Sequence, residues 1–230
     1  MNQIEENLKH IRRRIADAAQ KAGRDPADIT LVGVTKTIEI GRIQSMAEAG
    51  VVHLGENKVQ EILDKYPHLS GVNWHMIGHL QTNKVKYIAD KVCMIHSVDS
   101  LRLGEEIGKR METVGRCMDI LIEVNIAGED SKFGVAPESV MALARELQKL
   151  PSVSVAGLMC VAPFVENPEQ NRVYFKQMKQ LFIDMQAKMD NNSNIRHLSM
   201  GMTNDYDIAI EEGATIVRIG TGIFGERYYG

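Results

Sequence analysis

No stretch of the 230 residues reaches the roughly 20 consecutive apolar positions that span a bilayer. Residues 1–20 are rich in charge and carry no apolar core of the signal-peptide type. The expectation is a soluble, cytoplasmic protein with no membrane partner. Only three cysteines occur, Cys93, Cys117 and Cys160; they are widely spaced and odd in number, and two sit in apolar, strand-like runs. This excludes a disulfide framework and fits free thiols in a reducing cytoplasm. No segment is rich enough in Pro, Gly or Ser to be a linker and no repeat is visible, so one domain over residues 1–230 is expected. Neither sign of charge is in large excess: 27 basic against 30 acidic residues leave a net charge of -3, which speaks against a nucleic-acid partner. The one dense basic cluster, Arg12-Arg13-Arg14, shares a helix with Ile4, Leu8, Ile11 and Ile15 and reads as its solvated face. Hydrophobic residues at 44% and charged residues at 25% describe an ordinary globular chain, long enough to bury a sizeable core.

An amphipathic helix is predicted over about residues 2–22, ending at Ala22-Gly23. Short runs rich in Val, Ile, Leu and Met then recur near residues 30–35, 51–54, 73–77, 92–96, 118–124, 153–159, 195–198 and 214–219. Helical patterns separate them at 39–49, 57–65, 81–90, 100–113, 137–149, 169–190 and 203–212. Strands alternating with helices imply parallel pairing through right-handed crossovers. A doubly wound open sheet accepts that pattern, but a closed (β/α)8 barrel of TIM type, preceded by one additional helix, accounts for the strand count directly. Barrel sites form at the C-terminal ends of the strands.

Lys36 stands at such an end, closing the run Leu31-Val32-Gly33-Val34-Thr35. A lysine amine held out of water can attack a carbonyl compound and form a Schiff base; the alternative is a lysine reaching past the strand end to solvent. The last two strand ends supply complementary groups. Ser199-Met200-Gly201-Met202-Thr203 offers a hydroxyl, a permissive glycine and backbone N–H groups before a helix with Asn204 and Asp205 in its first turn. Arg218-Ile219-Gly220-Thr221-Gly222 adds further amides and the Thr221 hydroxyl. Loops after the seventh and eighth strands often hold phosphate in barrels. A carbonyl compound bearing a phosphate satisfies both loops and the lysine, and pyridoxal phosphate (PLP) is one. Arg218 is either the partner of the pyridine nitrogen, to which it cannot give a proton, or half of an ion pair inside the barrel. His53, His75, His79 and His96 lie near strand ends and invite a metal reading. The spacing of His75 and His79 needs a helix to make a ligand pair, whereas Trp74-His75-Met76-Ile77-Gly78 reads as a strand entering a turn, so no metal site is expected.

Five segments together resemble the pyridoxal phosphate homeostasis proteins, the YggS or PROSC family: Val34-Thr35-Lys36, Gly55-Glu56-Asn57, Trp74 through Lys84, Ser199 through Asp205, and Val217-Arg218-Ile219-Gly220. The resemblance covers nearly the whole chain, and the segment Trp74 to Lys84 is its most specific part. It implies a barrel similar to the N-terminal domain of alanine racemase that holds PLP as an internal aldimine on Lys36. By the same resemblance Ser199, Gly201, Gly220 and Thr221 look like the phosphate cradle, Arg218 like the partner of the ring nitrogen, and Asn57 and His79 like pocket residues. Members of the family are regarded as regulating PLP supply rather than as robust enzymes. Asn125 to Gly134, with Glu129, Lys132 and Phe133, resembles a family loop near the pocket without an assignable role. Many members carry a second lysine two residues after the first; here that place holds Ile38.

Racemisation needs acid–base groups on both faces of the cofactor. Alanine racemases draw the second base from a further domain, and the expectation here is that none follows the eighth strand and its short helix. The leading expectation is therefore a monomeric PLP carrier serving apo-enzymes. The alternatives are a low-activity amino-acid racemase and a class I aldolase acting through Lys36.

Overall fold

The computed structural model describes residues 3–129, 131–189 and 194–225. Residue 2 of the first predicted helix, residue 190 of the sixth inter-strand one and Asp130 of the 125–134 loop lie outside these. Eight parallel strands form a closed barrel in sequence order: β1 (Thr30–Val34), β2 (His53–Glu56), β3 (Asn73–Met76), β4 (Val92–Val98), β5 (Met118–Glu123), β6 (Val153–Met159), β7 (His197–Ser199) and β8 (Ile216–Ile219). β8 closes onto β1 in the register Thr30↔Ile216 to Gly33↔Ile219. The (β/α)8 architecture expected from the alternation is present.

The outer layer comprises α1 (Gln3–Lys21), α2 (Ile40–Glu48), α3 (Val59–Lys65), α4 (Leu101–Val114), α5 (Val140–Leu147), α6 (Arg172–Lys188), α7 (Tyr206–Glu211) and α8 (Thr221–Phe224). α1 buries Ile4, Leu8, Ile11, Ile15, Ala18 and Ala19, at the three- and four-residue spacing of one helical face. It is tied to α7 by Arg14 and Asp207 at 2.5 Å and to α8 by the Asn7 amide donating to the Ile223 carbonyl at 2.9 Å. The arginine cluster is a largely solvated face whose members also find partners: Arg12 donates to the Ala49 carbonyl and Arg13 pairs with Asp17.

Three predicted helices differ in form. Residues 81–90 fold as a 3-10 segment, Thr82–Tyr87, because Thr, Asn, Val and Tyr are weak helix formers and the next strand follows closely. The patterns 57–65 and 203–212 begin later, at Val59 and Tyr206. Asp205 stands at the N-cap of α7 rather than in its first turn, and its Oδ1 accepts the Met202 N–H at 2.7 Å. β2 also runs to Glu56, two residues past the predicted run, since a polar glutamate there is buried.

Successive residues of a strand face opposite sides. The outer faces join one continuous apolar layer with the helices, while Val32, Met94, Leu121, Ala156, Met159 and Ile216 form a separate cluster inside the barrel. That interior also holds the buried polar side chains of His75, His96, Ser199 and Arg218. β6 and β7 approach closely at Gly157, whose φ is +148° and where a Cβ would lie 1.8 Å from the His197 carbonyl oxygen. No helix among the described residues is long and apolar enough to cross a membrane. The three cysteines are free; Cys160 is buried, Cys93 half-buried and Cys117 exposed.

Candidate functional site

Val32 lies in the interior cluster and Val34 lines a cavity of about 260 Å³ at the C-terminal end of the barrel. The alternation that turns those two inward carries Lys36 into the same cavity. Its backbone is held on both flanks. The Lys65 ammonium donates to the Thr35 carbonyl at 2.7 Å, to Glu56 Oε1 at 2.6 Å and to Glu61 Oε2 at 2.8 Å. Glu61 Oε2 in turn accepts the Thr37 N–H at 2.6 Å, and the Thr35 hydroxyl donates to Glu56 Oε1 at 2.6 Å. Thr37 has a φ of +62°, which a β-branched residue rarely adopts. The ionic cluster beneath it therefore fixes the turn that aims Lys36. Burial pushes the Glu56 carboxyl upward, opposed by its bonds from Lys65 and Thr35.

The loops after β7 and β8, next to β1 in the closed barrel, form another wall. Thr203, Gly220 and Thr221 line the cavity with Lys36 and Arg218. The Thr221 and Thr203 hydroxyls are 3.0 Å apart, and the Gly222 N–H donates to Thr203 Oγ1 at 3.2 Å. The N–H groups of Gly220 and Thr221 donate to no acceptor among the described residues. Two hydroxyls and two free amides are a donor set suited to a phosphate. The one carboxylate on this wall, Asp205, is occupied: Oδ1 accepts from Met202 and Oδ2 accepts the Asn171 amide at 2.8 Å. Gly201, at φ +90°, lets the loop pass α7, where a Cβ would meet Ala209 at 2.5 Å and Tyr206 Cα at 2.9 Å.

Arg218 is 4% exposed and donates from Nη1 to Ser199 Oγ at 2.6 Å and from Nη2 to the Cys160 carbonyl at 2.8 Å. Ser199 is fully buried and is not among the cavity-lining residues; its hydroxyl supports Arg218. Asn57 and His79 line an adjoining groove with Lys58, Gln81, Lys84 and Tyr87 rather than the cavity of Lys36. There the His79 ring stacks on Phe133, centroids 3.9 Å apart and planes 11° apart, while His79 Nδ1 lies 3.7 Å from Asp99. This contact shows where the 125–134 loop docks, with the Asn125 amide donating to the Glu129 carbonyl. β3 ends at Met76, so His75 and His79 form no helical ligand pair, and no metal-binding group of three or more side chains occurs among the described residues.

Sequence reasoning passed over Thr203, Lys65, Glu61 and Glu123. Thr203 carried a visible signal, a hydroxyl two residues past Gly201 in a loop already singled out. Glu123 ends β5, is 7% exposed, and its Oε2 has no partner. Burial first, then the charge of Asp99, raise its carboxyl from 4.5 to about 7, with Arg218 pulling the other way. A carboxyl raised on folding keeps its proton in the folded chain after the unfolded chain has lost it, so stability falls as pH rises from 4.5 to about 7 and is level beyond. Glu123→Gln removes that fall and gains about 3 kcal/mol over the parent protein at pH 8. Urea unfolding midpoints between pH 4.5 and 8 measure it; parallel curves for the two proteins would contradict the assignment.

Comparison with known proteins places this geometry in a class. Residues 6–228 match the family described as alanine racemase, N-terminal domain. The chain is 46% identical to the pyridoxal phosphate homeostasis protein of Aquifex aeolicus, covering 97% of this chain and 98% of that one. It is 39% identical to the protein of the same name in Pseudomonas aeruginosa, over 100% and 98% of the two chains. The structure of PipY from Synechococcus elongatus PCC7942 with PLP bound superposes with a TM-score of 0.84 at 30% identity, over 96% of this chain and 100% of that one. The chain belongs to the pyridoxal phosphate homeostasis protein family.

Proposed function

We propose that this protein captures PLP covalently on Lys36 and releases it to PLP-dependent apo-enzymes in the cytoplasm. The observation that carries the reading is one cavity shared by Lys36, Arg218 and the hydroxyl-and-amide wall of Thr203, Gly220 and Thr221. The names of its relatives and the PLP held by PipY support it. PLP supplies an aldehyde that bonds reversibly to an amine and a ring that withdraws electrons from that bond. Lys36 Nζ is the amine. The Thr203 and Thr221 hydroxyls and the Gly220 and Thr221 N–H groups take the phosphate. Arg218, held in place by Ser199, would be the partner of the ring nitrogen, and Gly201 shapes the loop that presents Thr203. Asn57 and His79 border the approach from the neighbouring groove.

The same residues favour a carrier over a racemase. Arg218 keeps its proton and gives none to the ring nitrogen, which leaves the ring a weak electron sink. Among the described residues no second base is free in the cavity: beside Lys36 the titratable side chains lining it are Arg218 and Asp205, and both Asp205 oxygens accept hydrogen bonds. The test loads the protein with PLP, mixes it with an apo-aminotransferase, and follows acceptor activity together with the donor's visible absorbance. The two change in parallel if the carrier reading holds. Retained absorbance with no acceptor activation contradicts it, and turnover of an enantiopure amino acid that Lys36→Ala abolishes establishes the racemase reading instead.

A further inference from the structure

A line of polar side chains crosses the barrel interior below the candidate cavity. His53 Nδ1 on β2 lies 2.9 Å from His75 Nε2 on β3, and His75 Nδ1 lies 2.9 Å from His96 Nε2 on β4. His96 Nδ1 is 3.1 Å from Ser199 Oγ on β7, which accepts from Arg218 Nη1 on β8. His75 and His96 are almost wholly buried.

Counting protons fixes the direction of every bond. A guanidinium only donates, so Ser199 Oγ is the acceptor in its bond with Arg218. The hydroxyl's own proton is then free to go to His96 Nδ1. A neutral imidazole that accepts at Nδ1 carries its proton on Nε2, so His96 donates to His75 Nδ1. By the same rule His75 donates from Nε2 to His53 Nδ1. Cys93 does not compete as a donor, because its thiol lies 3.2 Å from the Trp74 carbonyl, which can only accept. Neutrality of the rings follows first from burial, which lowers all three, joined at His75 by His53 and His197 and at His96 by His75, Arg218 and His197; His75 is pushed down to about 3, His96 far down and His53 down. The reverse arrangement would have Ser199 receive two donors and turn its proton toward the apolar interior of Met159, Leu121 and Ile216.

We infer that His53, His75 and His96 form a one-way relay, each ring neutral and protonated on Nε2, that positions Arg218 from beneath through Ser199. Its far end, His53, borders a second cavity of about 470 Å³ at the opposite mouth of the barrel, beside Arg12, Ile29 and Gly50. The relay joins the two ends of the barrel through one chain of hydrogen bonds, and its direction follows from the donation of Arg218 to Ser199, the neutrality of the rings and the need of the Ser199 proton for an acceptor. These three are positioning residues, and the relay is a property of the protein without any cofactor.

Long-range proton–nitrogen correlation spectra of the full-length, 15N-labelled protein at neutral pH read each tautomer, with single His→Gln variants assigning the signals. The expected spectrum shows all three rings as Nε2–H. In Ser199→Ala, His96 and His75 become tautomer mixtures, and the Arg218 side-chain protons exchange with solvent about tenfold faster, as the loss of one buried hydrogen bond implies. His53→Asn leaves His75 and His96 as Nε2–H. A wild-type ring that is mainly Nδ1–H or doubly protonated overturns the relay, as do Ser199→Ala spectra identical to the parent's. Should Ser199→Ala fail to fold, the wild-type tautomers decide alone.

Discussion

Lys36→Ala is expected to purify colourless and to show only the band of the free aldehyde when PLP is added, whereas the parent protein is expected to be yellow from a distinct aldimine band. The aldimine band is all or none because it arises only when the cofactor is covalently joined to an amine, whereas the free aldehyde has its own band at shorter wavelength, and Lys36 is the lysine that lines the cavity. The phosphate wall remains intact in the variant, since Thr203, Gly220 and Thr221 belong to the loops after β7 and β8 and not to that of Lys36. Residual binding of PLP therefore persists but is weak and exchanges freely on dialysis. Titration by absorbance and by equilibrium dialysis separates the two contributions. A variant as yellow as the parent would show that another amine is used.

The second large effect is on stability. Glu56 is fully buried and Lys65 nearly so, and they meet at 2.6 Å. Removing one partner of a buried pair leaves an uncompensated charge, at a cost of about 3–5 kcal/mol. Lys65→Met is expected to lose that much at pH 8, a drop in Tm on the order of 10 °C for a chain of this size. The loss shrinks in acid, where Glu56 takes up a proton and its charge disappears. The double variant Lys65→Met, Glu56→Leu recovers most of it, because neither charge is then left buried. Both proteins loosen the flanks of Lys36, so PLP uptake slows even where stability returns. A Lys65→Met protein within about 0.5 kcal/mol of the parent, as is usual for a surface substitution, contradicts the role given to the cluster.

The barrel was legible because its cause is local: apolar runs at strand length, separated by helical periods, repeat along the chain. The inward direction of Lys36 and Arg218 was legible for the same reason, as each keeps the two-residue phase of its strand. Partners brought in by register were not. Glu56 reads as a loop residue until Lys65, Thr35 and Glu61 are seen around it, and those contacts depend on how α3 lies against β1 and β2. Ser199 ends β7 and Thr203 lies in the loop that follows, and only the depth of Arg218 tells which hydroxyl faces the cavity and which lies behind the arginine. The spacing of the histidines left their partners open. That His53, His75 and His96 satisfy one another follows from the pairings His53↔Asn73 and His75↔Met94, which set adjacent strands in step and which no single strand encodes.

The central claim is that Lys36 is a reversible tether for PLP. Its most direct measurement is borohydride reduction of the PLP-loaded protein followed by peptide mapping by mass spectrometry. The account predicts a single pyridoxyl adduct on the peptide containing Lys36, and its loss from protein first incubated with an apo-acceptor. An adduct on Lys58 or Lys84 of the adjoining groove, or none at all, would contradict it.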